Sequence, residues 1–177
     1  MRIISGKYKG KRLLAPKKLP VRPTTDMAKE ALFNILNNSF FFEEIKVLDL
    51  FAGTGNISFE FASRGAQDIT AIDAHLGCIK FISKTAGELG FSINAFKNDV
   101  FSFLSKTRER YDVIFADPPY DLEISELQKI ANTVFEKDLL MDDGVLVVEH
   151  SPQIDLSTEP RFVEQRKYGS SVFSFFE

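Results

Sequence analysis

Five short apolar runs, separated by segments with helical periodicity, constrain the fold of this chain more than any other feature. The runs begin at residues 46, 68, 92, 111 and 144 and read KVLDLF, DITAID, SINAFK, YDVIFAD and GVLVVEH. Nearly continuous apolar strands are typical of parallel sheets that are covered on both faces, and helices between them provide the crossover connections. The pattern predicts an α/β fold with a doubly wound sheet.

Both ends of the chain add to this core. Thr24 or Thr25 can cap a helix that begins at Asp26, where the acid suits the helix dipole. Near the C-terminus, two strand-like runs joined by a glycine predict an antiparallel hairpin at one edge of the sheet, RFVEQRKY and SSVFSFFE. We therefore expect one domain at 46–177, preceded by an extension at 1–45 that contains a small β-hairpin and a helix.

Charge is distributed unevenly between the two parts. Residues 1–25 carry eight basic side chains and no acidic one, whereas the remaining 152 residues carry 14 basic and 25 acidic side chains. A basic segment on an acidic body is common in proteins that bind phosphate backbones. A tail that is charged only for solubility would have the same composition. The strand-like runs RIISG and GKRLLA around KYKG favour a hairpin that presents the basic side chains.

Cysteine usage and the lack of long apolar runs indicate a cytoplasmic protein. The single cysteine, Cys78, excludes an internal disulfide framework. The first residues, MRIISGKYKG, contain no apolar stretch like that of a secretory signal, and no uncharged run approaches the length of a membrane span. We expect no membrane contact, and no cluster of cysteine and histidine indicates a metal.

Polar residues and glycines stand where the first four predicted strands end: Asp49 with Gly53 and Gly55, then Asp73, Asp99 and Asp117. Ligands of doubly wound sheets bind beyond the carboxyl ends of the strands. A Gly-x-Gly turn lets the backbone approach a ligand, and the N-terminus of the next helix offers N–H groups. Asp73 follows Gly55 by 18 residues, the usual place of the acid that binds ribose hydroxyls. The spacing predicts a nucleoside-containing ligand.

The glycine turn argues against a dinucleotide. A dinucleotide site has a third glycine in the pattern G-x-G-x-x-G, and Ser58 occupies that position here. Asp49, just before the turn, suits a ligand with a positive end better than a pyrophosphate. S-adenosylmethionine has a sulfonium, an ammonium and an adenosine but no phosphate, so it fits the pattern better.

These motifs resemble those of a known family. VLDLFAGTG is similar to motif I of the class I S-adenosylmethionine-dependent methyltransferases, and DPPY resembles the signature of those that methylate an exocyclic amino nitrogen. With RPTTD at 22–26, SRGA at 63–66 and KYGSS at 167–171, the chain closely resembles the RsmD family over nearly its whole length. The resemblance implies a Rossmann-like fold and methylation of N2 of one guanine, position 966, in bacterial 16S rRNA.

The resemblance also implies roles for individual residues. The implied cofactor-binding residues are Asp49, Phe51, Gly53, Gly55, Asp73, Asp99 and Val100. The basic residues expected to contact RNA are Arg2, Lys7, Lys9, Lys11, Arg12 and Arg22. The expected partner is 16S rRNA, free or within an assembling small ribosomal subunit, and the expected enzyme is a monomer. In two places the chain departs from the family: Asp73 replaces a common glutamate, and His75 stands near a position where relatives carry a basic residue.

The sequence VIFADPPYD places a carboxylate at the end of an apolar strand, because proline is excluded from strand interiors. A base amino group is a poor nucleophile, since its lone pair is delocalised into the ring. Asp117 can accept one N–H bond and a carbonyl of the Asp117-Pro118 turn the other, which orients the nitrogen for transfer. Tyr120 offers a face on which an extruded base can stack. Whether Asp117 also takes the proton stays open at this stage.

Other functions share parts of this pattern. The nearest alternative is an amino-methyltransferase that acts on adenine N6 in DNA or on another RNA, but sequence-specific DNA enzymes usually need additional chain to reach base edges. Protein glutamine methylation uses asparagine at the position of Asp117. A dehydrogenase, or a non-catalytic nucleotide- or RNA-binding module, is disfavoured by Ser58 and by the intact DPPY turn.

Overall fold

A single sheet runs through the centre of the molecule. The computed structural model describes residues 1–21 and 24–177. Its strands are β1 (Lys46–Leu50), β2 (Asp68–Asp73), β3 (Ile93–Lys97), β4 (Tyr111–Ala116), β5 (Leu140–His150), β6 (Phe162–Tyr168) and β7 (Ser171–Phe176). The strand order is β3-β2-β1-β4-β5-β7-β6, with β1 to β5 parallel and β7 antiparallel to both of its neighbours. The predicted C-terminal hairpin is therefore confirmed at one edge of the sheet.

Five α-helices connect or flank the strands: α1 (Asp26–Leu36), α2 (Asn56–Ser63), α3 (Leu76–Leu89), α4 (Val100–Lys106) and α5 (Ile124–Glu136). Thr25 caps α1 by accepting a hydrogen bond from the Ala28 amide, as the sequence predicts. The longest of these helices has 14 residues. Within the described residues, no helix is both long enough and apolar enough to cross a membrane.

The alternation of side chains along each strand produces two apolar layers. Val47 and Phe115 face one side, where they pack with residues of α1 and α2. Their neighbours Leu48 and Ile114 face the other side and pack with α4 and α5. Helix α3 lies beside α2, where Ile82 contributes to a third cluster. Helices thus cover both faces of the sheet, and the predicted doubly wound α/β architecture is confirmed.

Two local features differ from the sequence-based expectation. Strand β5 begins at Leu140, four residues before the apolar run GVLVVEH, because Leu140 pairs with Tyr111 ahead of a register shift. A short 3₁₀ helix at Phe42–Glu44 was not predicted, and it buries Phe42 against the α1 side of the sheet. In both places a contact with a distant segment, rather than local periodicity, fixes the backbone.

The predicted N-terminal hairpin is present, but its ladder is shorter than expected. Arg2 and Arg12 form an isolated antiparallel bridge, and the Ile3 amide donates to the Lys11 carbonyl at 2.9 Å. The next amides of the first arm bond to helix α2 instead of the second arm, and this ends the ladder.

Two residues of helix α2, Glu60 and Ser63, hold the hairpin by hydrogen bonds to its first arm. The amides of Ile4 and Ser5 donate to the two carboxylate oxygens of Glu60 at 2.9 and 3.0 Å. Ser63 donates its hydroxyl to the Ser5 carbonyl at 2.7 Å and accepts a bond from the Lys7 amide at its own carbonyl, also at 2.7 Å. The extension is therefore a docked part of the fold, and the SRGA motif supplies one of its anchors.

We expect Gly6→Ala to undock the hairpin, whereas Gly10→Ala should be tolerated. Both glycines have nearly the same positive φ, 82° and 83°. A Cβ on Gly6 would lie 1.8 Å from the Ser63 carbonyl oxygen, whereas a Cβ on Gly10 would meet nothing within 4 Å. Backbone strain alone costs about 1–2 kcal/mol, and strain plus overlap about 2–5 kcal/mol. Urea unfolding of both variants measures the difference. Equal losses would contradict the docking described above.

Candidate active site

A cavity of about 600 Å³ opens at the carboxyl ends of β1, β2, β4 and β5. This is the edge of a doubly wound sheet where ligands bind, and the volume is within the usual range for small-molecule sites. Its walls include the glycine turn after β1 and the DPPY turn after β4. Part of the wall comes from the N-terminal extension, through Val21, Thr24 and Thr25.

The charge of the cavity has one sign. Four carboxylates line it, from Asp49, Asp73, Asp117 and Glu149, and no lysine or arginine is present among the described lining residues. Such a wall favours a ligand with a positive end and disfavours a phosphate. Within the described part of the chain, no group of three or more His, Cys, Asp or Glu side chains is arranged to hold a metal ion.

The glycine turn brings the backbone to the cavity by using left-handed conformations. Phe51, Gly53 and Gly55 have φ values of 58°, 55° and 80°. At Gly55 a side chain would also overlap the core, since a Cβ would lie 2.9 Å from Ile82 Cγ1. The turn therefore requires glycine, and α2 begins directly after it at Asn56.

Asp49 lies at the base of the cavity and is 1% exposed. Its Oδ2 accepts hydrogen bonds from the Ser58 hydroxyl at 2.5 Å and from the Ser58 amide at 3.1 Å. Burial raises the pKa of Asp49 to about 7 despite these two bonds, which act in the opposite direction. Ser58, which replaces the third glycine of a dinucleotide site, is thus the residue that fixes this carboxylate.

Asp73 connects the end of β2 to the glycine turn. Its Oδ2 accepts a bond from the Gly53 amide at 2.8 Å, and its Oδ1 accepts one from the His75 amide at 2.7 Å. The His75 ring caps α3 by accepting a bond from the Gly77 amide through Nδ1 at 3.1 Å. The short aspartate side chain is therefore held rigidly at the cavity wall.

The DPPY turn places all three residues that were predicted to be catalytic on the cavity wall. Asp117 is half-buried and its amide donates to the Leu50 carbonyl at 3.4 Å, which fixes the turn against β1. Pro118 is buried, while Tyr120 is 41% exposed and lies at the cavity edge.

The predicted cofactor residues divide into two groups. Four of them line the cavity: Asp49, Phe51, Gly53 and Asp73. Gly55 supports the turn from behind, and Asp99 and Val100 are not among the lining residues. Asp99 is exposed and caps α4 by accepting a bond from the Ser102 amide at 2.8 Å, and Val100 packs into the core between the sheet and α5. The roles of these three residues stay predictions.

The basic residues of the extension lie on the outside of the docked hairpin. Of the basic residues expected to contact RNA, Arg2, Lys7, Lys9, Lys11 and Arg12 are exposed, and Arg22 lies outside the described residues. Arg2 is paired with Asp26 at 2.9 Å, so part of its charge is neutralised. The Nζ atoms of Lys7 and Lys11 lie 5.4 and 5.8 Å from the centroid of the Tyr8 ring. The other four cations, Lys7, Lys9, Lys11 and Arg12, are exposed on the hairpin.

Sequence reasoning did not assign several residues of the wall. Thr24 donates its hydroxyl to Glu149 at 2.9 Å, and Ser171 lines the same cavity. Thr24 belongs to the motif RPTTD and Ser171 to KYGSS, so both motifs were visible in the sequence. Their meeting place was not, because these segments are joined only in the folded chain.

The comparisons with known proteins agree with this geometry. The whole chain, residues 1–177, matches the model of a family described as conserved hypothetical protein 95. The chain belongs to this family. It is 33% identical to YlbH of Bacillus subtilis (strain 168), over 88% of this chain and 85% of that protein. It is 29% identical to the ribosomal RNA small subunit methyltransferase D of Escherichia coli (strain K12), over 90% of this chain and 79% of that protein.

Solved structures show the same fold. The structure of yhhF from Escherichia coli matches with a TM-score of 0.86 and 25% identity, over 99% of this chain and 96% of that chain. The 16S rRNA N2 G1207 methyltransferase RsmC of T. thermophilus, solved with AdoMet and guanosine, matches with a TM-score of 0.72 and 22% identity, over 90% of this chain and 45% of that chain. The predicted Rossmann-like fold of the class I methyltransferases is confirmed.

We expect Asp49→Asn to remove a pH dependence of stability in the protein without ligand. The folded-state pKa of Asp49 is raised to about 7 from 3.8, so the folded protein binds the proton more tightly and loses stability as the pH rises through this window. Between pH 5 and pH 8 the loss due to this group is about 2–3 kcal/mol. Urea unfolding of both proteins at the two pH values isolates this contribution. Parallel pH profiles would contradict the assignment.

Proposed function

We propose that this protein transfers a methyl group from S-adenosylmethionine to N2 of a guanine in 16S rRNA, at the position corresponding to guanine 966. The observation that carries the proposal is the meeting of the DPPY turn and the acid-walled glycine turn in one cavity. The names of the relatives support it, since the E. coli K12 protein is a small-subunit rRNA methyltransferase. The RsmC structure, which has a guanosine and AdoMet bound, supports the choice of guanine N2.

The cavity fits S-adenosylmethionine by its charge and by its close-approach turn. Asp49 would face the positive methionine end of the cofactor, and the turn at Gly53 would approach it. A Cβ on Gly53 would lie 3.2 Å from Val21 Cγ1. Asp73 would accept the ribose hydroxyls. The cofactor, when bound, supplies an electrophilic methyl group on a sulfonium.

Three further residues complete the proposed cofactor site. Gly55 allows the left-handed conformation of the turn, as described above. Asn98 donates its amide to the Asp73 carbonyl at 3.0 Å, so the segment after β3 runs beside the ribose acceptor. We place Asp99 and Val100 next to the adenine on this basis.

The residues of the DPPY turn act on the base. Asp117 accepts one N2–H bond and the backbone carbonyl of the turn accepts the other, so the nitrogen lone pair is directed at the methyl. The same acceptors stabilise the positive charge that develops on N2 during transfer. After transfer, the additional proton on N2 passes to Asp117 or to solvent at the cavity mouth. The partly exposed ring of Tyr120 stacks on the extruded base.

The extension provides the RNA surface in this proposal. Lys7, Lys9, Lys11 and Arg12 are exposed on one docked hairpin, where they can contact phosphates without first becoming ordered. We assign residues 1–45 to RNA contact and 46–177 to the methyltransferase domain, although Thr24 and Thr25 of the extension also line the cavity. We further propose a cytoplasmic monomer that acts on rRNA, free or in the assembling subunit.

Asp117→Ala should abolish labelling of guanine N2. S-adenosylmethionine with a labelled methyl would be incubated with unmodified small-subunit particles, with free 16S rRNA and with DNA, and the label mapped to a nucleotide. We expect a loss of about 100-fold or more in the variant, because the acceptor that orients N2 is removed.

Asp121→Ala is the matched control. Asp121 is an exposed aspartate four residues further along that does not line the cavity, so its rate should not change. Label on adenine in DNA or in another RNA would overturn the substrate but keep the cofactor.

The double variant Lys9→Ala/Lys11→Ala should bind 16S rRNA more weakly and with a smaller salt dependence. Each lost phosphate contact lowers the slope of log K against log salt by about 1. Filter binding from low to moderate salt measures the slope. The control variant Lys106→Ala/Lys129→Ala removes the same charge from α4 and α5, on the opposite face of the sheet. It should leave the slope unchanged. Identical slopes for both double variants would remove the hairpin from the RNA surface.

A further inference from the structure

Glu149 is a cavity residue to which the reaction described above gives no role. It is 2% exposed and lines the cavity near the end of β5. Strands β4 and β5 are parallel neighbours in which Ala116 pairs with Val148. The residues that follow this pair are Asp117, directly after β4, and Glu149, within β5. Both line the cavity. A second carboxylate therefore stands beside the one that orients the reacting nitrogen.

The N-terminal extension fixes the orientation of this carboxylate. Thr24 donates its hydroxyl to Glu149 Oε2 at 2.9 Å, and the Thr24 carbonyl in turn accepts a bond from Asn56 Nδ2 at 3.2 Å. Thr24 is itself 7% exposed. A carboxylate has about four acceptor positions, so the bond from Thr24 is compatible with another donor at the same group.

The DPPY turn alone does not distinguish guanine from adenine. Both bases present an exocyclic amino group, which Asp117 accepts in the same way. The atom next to it differs: guanine has N1–H, a donor, whereas adenine has an unprotonated N1, an acceptor. A group that only accepts, placed next to Asp117, would pair with guanine and would face a lone pair of adenine.

We propose that Glu149 is the residue that selects guanine, by accepting the N1–H bond of the base whose N2 is bound at Asp117. This inference rests on the proposed function and names the specificity group of that site. Thr24 is a positioning residue that holds the carboxylate toward the base. A buried acceptor discriminates strongly, because the wrong base places its N1 lone pair opposite the carboxylate instead of a donor.

The same contacts also allow a purely structural role, in which Glu149 only anchors the RPTTD segment through Thr24. The two roles differ in one measurable quantity. A structural role lowers the rate for every base alike, whereas a selecting role changes the ratio of rates between bases that differ at N1.

The test compares wild type with Glu149→Gln on small-subunit particles reconstituted from ligated 16S rRNA, with the target base varied. Guanine and 6-thioguanine both present N1–H, whereas 2-aminopurine keeps the N2 amino group but has an acceptor at N1. We expect wild type to methylate the first two at similar kcat/KM and 2-aminopurine about 10- to 100-fold more slowly. In Glu149→Gln the amide can donate to N1, so the preference for guanine should fall by about tenfold or more.

Two further variants keep the test independent of folding. Thr24→Val retains the shape of the side chain but loses the hydroxyl, and it should lower the guanine preference in part. Ser174→Ala removes a buried hydroxyl that bonds to His150 at 2.8 Å on the adjoining strand, outside the cavity, and should leave the preference as in wild type.

The possible outcomes separate the selecting role of Glu149 from the proposed function. An unchanged ratio in Glu149→Gln and Thr24→Val, with lower rates on all bases, would overturn the selecting role and leave the proposed function standing. Equal wild-type rates on guanine and 2-aminopurine would overturn it as well. Absence of label from guanine with wild-type protein would overturn both the proposed function and this inference.

Discussion

The rest of the structure depends on the hydrogen bonds and ion pairs of one buried carboxylate, that of Glu60. It is 0% exposed and accepts bonds from the amides of Ile4 and Ser5, while Arg64 and Lys29 approach it at 2.9 and 3.3 Å. A buried charge is stable only when it is paired and fully hydrogen-bonded, so these partners are held together as a group. Burial lowers the pKa of Lys29, and Glu60 opposes that effect. One side chain of α2 thereby joins the extension, helix α1 and the sheet domain.

This arrangement makes the extension part of the cavity wall. Because the hairpin and α1 are both fixed to α2, the described residues on either side of 22–23, Val21 and Thr24, line the cavity. Val21 packs on Gly53 of the glycine turn, and Leu19 packs on Gly77 at the start of α3. Thr24 then reaches Glu149. The described residues that follow the hairpin thus contact both the glycine turn and the end of β5.

The electrostatics of the cavity follow from the sheet. Parallel strands end at the same edge, so an acid at the end of each strand contributes to a single wall. Burial raises the pKa of Asp49, and the nearby charge of Asp73 acts in the same direction. A cationic ligand would stabilise the charged form of this carboxyl group and lower its pKa. An anionic ligand would have the opposite effect. The wall therefore favours a ligand with a positive charge.

The sequence by itself determined the succession of strands and helices along the chain and placed Asp49 and Asp117 at the ends of strands. Strand periodicity, proline and glycine act on neighbouring residues, so a local pattern is enough to show them. Only the tertiary structure decided which side chains share the cavity. Thr24 and Glu149 are 125 residues apart, and no local pattern relates them. The cap that Asp99 forms on α4 likewise became visible only in the folded chain, and its expected role at the cofactor stays a prediction. Contacts between distant segments depend on how elements pack, and that depends on the whole core.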